Sequence, residues 1–268
     1  MFEKFKRPMF AAYVAKLIFR ICVFFVVLAA YFLHPEYFDL LLSNKEIQEF
    51  QLSGWTLAQI NDYLANINHI GLYVVWGIMM GGMILHMLPT NKWLTMGSKK
   101  VFDQYYQPVE EYNELKMHKY MQQNNLSAMW VLIAWLCVNA VFGALYVFNI
   151  IEIKELVLLT TFYYVCDLIC VVIWCPFQSF FMKNKCCVNC RIFNWGHFMM
   201  YTPMLFIRNF FTWSLFFTSL MVMLRWDITL LKHPEQFWEG SNKILKCANC
   251  KDKICKIKGP KFVDRIDV

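Results

Sequence analysis

Residues Met9–Leu33 read MFAAYVAKLIFRICVFFVVLAAYFL, about 25 residues interrupted by only two charges, Lys16 and Arg20. Lipid offers no hydrogen-bond partner to the backbone, so about 20 consecutive apolar residues in an internally bonded helix are what a membrane crossing requires. A cleaved secretory leader carries an apolar core of only about 7–15 residues. The stretch therefore reads as an uncleaved anchor helix.

The same pattern recurs along the chain. Ile70–Leu88, Leu126–Phe148 and Leu156–Phe177 each predict a further span. A fifth segment, His197–Leu224, contains Pro203 and Arg208, and its apolar halves are each short for a crossing. It is expected to be one tilted helix or a re-entrant pair of half-helices. The composition agrees, because 59% hydrophobic and 17% charged residues depart from the roughly 45–50% and 25% of a soluble domain. With 25 Phe, 16 Met and 10 Trp against 10 Gly and 8 Pro, disordered and collagen-like chains are excluded.

Lys and Arg concentrate on the cytoplasmic side of membrane proteins. Lys4, Lys6 and Arg7 precede the first span; Lys92, Lys99, Lys100, Lys116 and Lys119 occupy the second connector; Lys183, Lys185 and Arg191 follow the fourth span. The alternate connectors hold only Lys45 and Lys154, and the first of them carries Glu36, Asp39, Glu46, Glu49 and Asp62. A cytoplasmic N-terminus in the cell membrane follows. The tail from Arg225 onward is basic and favours the same side, which requires the fifth segment to dip and return, since five crossings would place it outside.

Six of the 11 cysteines lie outside the spans. Cys186, Cys187 and Cys190 follow the fourth span, and Cys247, Cys250 and Cys255 lie in the tail. Each cluster contains a C-x-x-C, a spacing that lets two sulfurs meet one ion from a single turn. Two such turns supply the four thiolates that Zn(II) or an iron–sulfur centre takes. Cys187, Cys190, Cys247 and Cys250 form the minimal set, with Cys186 and Cys255 in reserve. Zinc would make a clasp between tail and bundle, and iron–sulfur an electron port. Spacing alone does not separate them. Nearby lysines, among them Lys183, Lys185, Lys246 and Lys251, favour thiolates.

Other polar residues carry weaker signals. Arg20 and Asp167 sit near the middle of antiparallel spans at matching depth and are expected to pair, structurally or at a functional site. Cys166 and Cys170 share a helix face, with Cys175 beyond, but buried cysteines mostly behave as small hydrophobes. Haem ligation by two histidines is not expected. His34 and His69 lie at outer helix ends and His86 and His197 near the inner face, and His69 and His86, seventeen residues apart, fall on different helix faces. Gly77 and Gly81 form a small-xxx-small packing stripe. The aromatic and basic runs Arg191–His197 and Lys232–Gly240 suit a headgroup boundary.

No phosphate-binding loop, dinucleotide fingerprint, H-E-x-x-H or nucleophile elbow occurs. The net charge of +7 reflects a basic cytoplasmic face and implies no nucleic-acid partner. A transporter reading lacks internal repeats.

The sequence thus predicts an all-α polytopic integral membrane bundle with four spans, a fifth tilted or re-entrant segment and a small cysteine-rich cytoplasmic cap. Its divisions are residues 1–182 for the first four helices, 183–196 for the cysteine-rich loop, 197–224 for the fifth segment and 225–268 for the basic tail. The expected activity is that of a membrane redox or electron-transfer component with an iron–sulfur or related thiolate-ligated metal. The alternative is a zinc-clasped, non-enzymatic scaffold or partner-binding subunit. The bilayer, a redox partner or other subunits of a membrane complex are the expected partners.

Overall fold

A computed structural model describes residues 8–33, 38, 70–89, 94–184 and 186–250. The N-terminal lysines, His34, His69, most of the acidic first connector, Lys185 and Cys255 lie outside the described residues. Helices α1 (Pro8–Leu33), α2 (Ile70–Met87), α3 (Met96–Lys99), α4 (Glu114–Val147), α5 (Ile153–Val172), α6 (Gly196–Tyr201) and α7 (Phe210–Lys232) follow one another, with short 3-10 turns between them. No strand occurs among the described residues.

Four helices among the described residues are long and apolar enough to cross a membrane: Ala11–Leu33 within α1, and all of α4, α5 and α7. Residues such as Phe19, Val26, Phe32, Ile78 and Val141 stand exposed on the helix surfaces, compatible with contact to a bilayer. Helix α2, apolar over its 18 residues, matches the expected second span to within one residue, and α7 runs on to Lys232, well past the expected end at Leu224. Arg225 and Asp227 interrupt its apolar run without ending the helix. Arg225 donates to the Met87 carbonyl, and Asp227 Oδ1 lies 2.7 Å from the Arg191 guanidinium.

Local chemistry sets the other boundaries. Asn113 caps α4, its side chain accepting from the Lys116 N–H at 3.0 Å, so α4 begins a dozen residues before the apolar stretch. Glu152 and Glu155 form a reciprocal capping box on α5. That helix ends at Val172 rather than Phe177, because Pro176 has no N–H and forces its predecessor from the α region. A π-helical turn, Phe177–Met182, follows and stops at Lys183, whose φ is 48°.

Side-chain pairs fix the helix directions. Leu17 packs on Val165 and Leu168, Arg20 meets Asp167 at 2.6 Å, and Tyr31 donates to Glu155 at 2.9 Å. Helix α1 therefore runs antiparallel to α5. Trp76 donates to Ser214 at 2.7 Å while Arg225 reaches Met87, so α2 and α7 run parallel. Residues 196–206 descend between the long helices. His197 faces His86, Thr202 accepts from Trp135 Nε1 at 3.1 Å, and Phe206 packs on Gly143. Asn209 then caps α7, accepting from the Phe211 N–H at 2.9 Å, and α7 returns. Arg208 stands exposed at the turn between them rather than within a helix.

One end of the bundle consequently gathers the start of α4, the ends of α5 and α7, and three connecting segments. Residues 94–112 and 234–245 are knitted by backbone bonds, Lys243 N–H to Gln107 O at 2.8 Å and Val109 N–H to Ser241 O at 3.0 Å. The main core lies just beneath, around the fully buried Trp226, with Ala128, Val131, Trp195 and Phe237.

The Arg20–Asp167 pair offers a test of helix order. Removing one partner strands a charge among apolar helices, whereas removing both does not. Arg20→Met or Asp167→Leu alone is expected to lower stability by about 2 kcal/mol, and the double variant to recover most of the loss. Thermal unfolding of the purified proteins checks this.

Candidate functional site

The loop following Lys183 is built from consecutive turns. The Cys190 N–H bonds the Cys187 carbonyl at 3.0 Å, and the Trp195 N–H bonds the Ile192 carbonyl at 3.0 Å. The first of these folds the C-x-x-C so that Cys187 and Cys190 are both buried, while Cys186, one residue earlier, is partly exposed.

Arg191 fastens this loop to two helices. Its Nε donates to Asn125 Oδ1 at 2.8 Å and its Nη1 to Asp227 Oδ1 at 2.7 Å, and its carbonyl accepts from Trp226 Nε1 at 2.9 Å. Trp195 Nε1 adds a further bond to Asp227 at 3.1 Å. The Ser98 hydroxyl donates to Asn194 at 3.1 Å, tying the loop to α3. The Arg191 bonds, at 2.7 and 2.8 Å from a buried guanidinium, are stronger than those of a surface pair.

Cys187 and Cys190 open onto a cavity of about 280 Å³ that is also lined by Cys166, Cys170 and Cys175. Trp135, Tyr163 and Phe177 form aromatic walls, and Asp167 contributes a carboxyl group. The thiols are linked rather than merely adjacent. Cys170 and Cys175 hydrogen-bond to each other. The Gln178 N–H approaches Cys175 Sγ at 3.4 Å, and the Gln178 side-chain oxygen accepts from Cys187 Sγ at 3.2 Å. Burial pushes the Cys190 thiol up to about 11, so it is held protonated near neutral pH.

Cys190 also borders a second cavity of about 10 Å³, shared with Lys100, Asn124, Asn189 and Arg191 and about the size of one water molecule. Lys100 is 2% exposed, and its ammonium has no hydrogen-bond partner among the described residues. It lies 5.6 Å from the Trp226 ring, and burial lowers its pKa to about 8.

This shift has a definite pH signature. Below about pH 8 the amine is charged in both the folded and unfolded chains, and the folded state carries the full desolvation cost. The fall from 10.5 to about 8 corresponds to about 3 kcal/mol. Lys100→Met is therefore expected to raise stability by about that amount at pH 7. The gain should shrink as pH rises through 8 and vanish above 10.5, where the amine is neutral in both states. Thermal unfolding at pH 7 and at high pH measures it.

The tail cysteines lie on the other side of the loop. Cys186 and Cys250 pack against one apolar cluster of Met96, Val188 and Leu245, and Cys247 is exposed nearby in sequence. The structure thus brings Cys186 and Cys250 to a common cluster, and Cys187 and Cys190 to the thiol-lined cavity. Among the described residues, no three or more His, Cys, Asp or Glu side chains converge as a metal-ligand group. The rings of His86 and His197 meet edge to face, with centroids 5.0 Å apart.

Sequence reasoning passed over several of these groups. Lys100 was one lysine among five in its connector, and Cys166, Cys170 and Cys175 read as filler. The available signals were Arg191 directly after a C-x-x-C and an acid, Asp227, near the end of a largely apolar helix. No family model, no curated protein and no solved structure matches this chain, so its own geometry carries the functional reading.

Proposed function

We propose that this chain is an integral membrane redox protein that passes electron pairs through the Cys187–Cys190 dithiol. The observation that supports this is the convergence of five cysteines, from the end of α5 and from the following loop, on one apolar cavity. A C-x-x-C on a turn is the spacing of a dithiol that can close to a disulfide, and because burial holds Cys190 protonated the pair reacts only as a thiol proton leaves. The aromatic walls keep water from the pair, and Gln178 holds the Cys187 thiol by its hydrogen bond.

The positive-inside distribution of Lys and Arg favours a cell-membrane protein with its N-terminus and its cysteine end cytoplasmic. In a reducing compartment such a pair works as a cycling carrier rather than a permanent crosslink. A soluble redox partner or another membrane subunit would meet it at that end. Equilibrating the purified protein across glutathione buffers and trapping its thiols should yield a two-electron titration confined to Cys187 and Cys190. A pair that stays fully reduced in the most oxidising buffer rejects the proposal.

A second reading concerns the tail. The common packing of Cys186 and Cys250 supports a thiolate-ligated metal site between loop and tail, which Cys247 would have to move in to join, with Cys255 as a fourth ligand, since among the described residues Cys186, Cys247 and Cys250 do not by themselves converge as a ligand set. Zinc would clasp the tail to the bundle, and an iron–sulfur cluster would extend the electron path outward. Metal analysis of anaerobically purified protein separates these outcomes. Stoichiometric zinc supports the clasp, iron with visible absorbance supports the cluster, and a metal-free chain removes both.

A further inference from the structure

A further cavity lies along α5 from the one beside the dithiol. This apolar cavity of about 390 Å³ is lined by Phe24, Phe142, Ile151, Leu158 and Leu159. Phe162 lines both. The α5 residues involved are Glu155, Leu158, Leu159 and Phe162 in one cavity, and Phe162, Tyr163, Cys166, Asp167, Cys170 and Val171 in the other. Glu155, Phe162, Cys166 and Cys170 share one helix face, flanked by Leu158 and Leu159, while Tyr163, Asp167 and Val171 carry the dithiol cavity round to the side of the helix. From Glu155 to Cys170 this face extends about 22 Å at 1.5 Å per residue. Polar groups and thiols occupy the end beside the loop, and aliphatic and aromatic side chains occupy most of the remainder.

An occupant that reaches from one cavity past Phe162 into the other is long, uncharged and apolar along most of its length, with its reactive group at one end. To oxidise the dithiol it must also accept two electrons and two protons without leaving lipid. We infer that the two cavities join past the Phe162 ring and bind a lipid-soluble quinone, its ring among Cys166, Cys187 and Cys190 and its hydrocarbon chain along Leu158, Leu159 and Phe162. This assignment rests on the dithiol reading above and adds the substrate class. The step balances: the two S–H bonds of Cys187 and Cys190 break, one S–S bond forms, and both electrons and both protons pass to the two carbonyl oxygens, giving the quinol. A thiol substrate at the loop end then reduces the disulfide and resets the pair. A phospholipid acyl chain would fit the outer cavity equally well, but it would take no electrons.

The experiment uses the full-length chain, fully reduced and anaerobic in detergent, with three oxidants: a decyl-substituted benzoquinone, the same ring without the chain, and diamide. Expected is one quinol formed per Cys187–Cys190 disulfide. The decyl compound should react at least about tenfold faster than the chainless ring, an advantage that about two buried methylenes suffice to provide. Leu159→Trp, which fills the outer cavity, should slow the decyl compound by a similar factor. Equal rates for the two quinones, or no quinol while diamide still oxidises the pair, would overturn the quinone assignment and leave the redox pair standing. If diamide also fails to join Cys187 and Cys190, the dithiol reading falls with it.

Discussion

Arg191→Met is expected to cost about 3–5 kcal/mol of stability, the range found when one partner of a buried ion pair is removed. The guanidinium is nearly enclosed, with its side chain 8% exposed, and it serves Asn125 and Asp227 together. Without it Asp227 retains the Trp195 indole but faces the core as an uncompensated carboxylate. The effect should not be confined to stability. Arg191 joins the C-x-x-C turn to α4 and α7, so its loss should also expose Cys187 and Cys190 to alkylation. Removing Asp227 at the same time, as Arg191→Met with Asp227→Leu, should recover much of the stability without reseating the loop. Thermal unfolding and timed alkylation of the three variants separate the two effects.

Cys190→Ser is expected to abolish the two-electron couple altogether. The hydroxyl cannot form the S–S bond, so Cys187 retains only intermolecular chemistry and should accumulate as a mixed disulfide in oxidised glutathione. The exchange is nearly isosteric, and the buried hydroxyl should cost about 1 kcal/mol. The variant should therefore remain folded, and the loss can be assigned to chemistry. Cys166→Ala, in the same cavity but on α5, provides the contrast: it should keep the Cys187–Cys190 couple. Thiol trapping followed by mass spectrometry reads both variants.

The contrast between these two residues shows how far the sequence could be read. Helix α1 was legible because its 26 residues carry only two charges, Lys16 and Arg20, and the partner of Arg20, Asp167, was also legible from depth. The C-x-x-C turn was legible because spacing alone closes it. The direction in which each cysteine faces was not. Cys186 and Cys187 are neighbours in the chain, yet one packs with the tail and the other with the cavity, because successive residues of a turn face different sides. The α7 boundary was misjudged for a related reason. Arg225 and Asp227 look like the start of a polar tail until their partners, the Met87 carbonyl and Arg191, 36 residues from Asp227, are known. Lys100 gave no signal at all, since burial is a property of the packed molecule and not of the lysine.

Residues 196–209 illustrate the same limit. Pro203 and Arg208 marked the segment as broken, but a break is compatible with either a tilt or a return. The choice depends on long-range contacts such as Trp135 with Thr202 and Phe206 with Gly143. These contacts carry the chain toward the far end of the bundle and leave α7 to come back alongside Arg191.

Differential alkylation of native membranes bears most directly on the central claim. Membranes prepared under reducing and under mildly oxidising conditions are labelled with light iodoacetamide, reduced, labelled with heavy iodoacetamide, and digested. A working dithiol requires Cys187 and Cys190 to exchange label together, from light in the reduced preparation to heavy in the oxidised one, with Cys22 and Cys137 unchanged. Cys187 and Cys190 found thiol-bearing to the same extent in both preparations, or changing independently of each other, would contradict it.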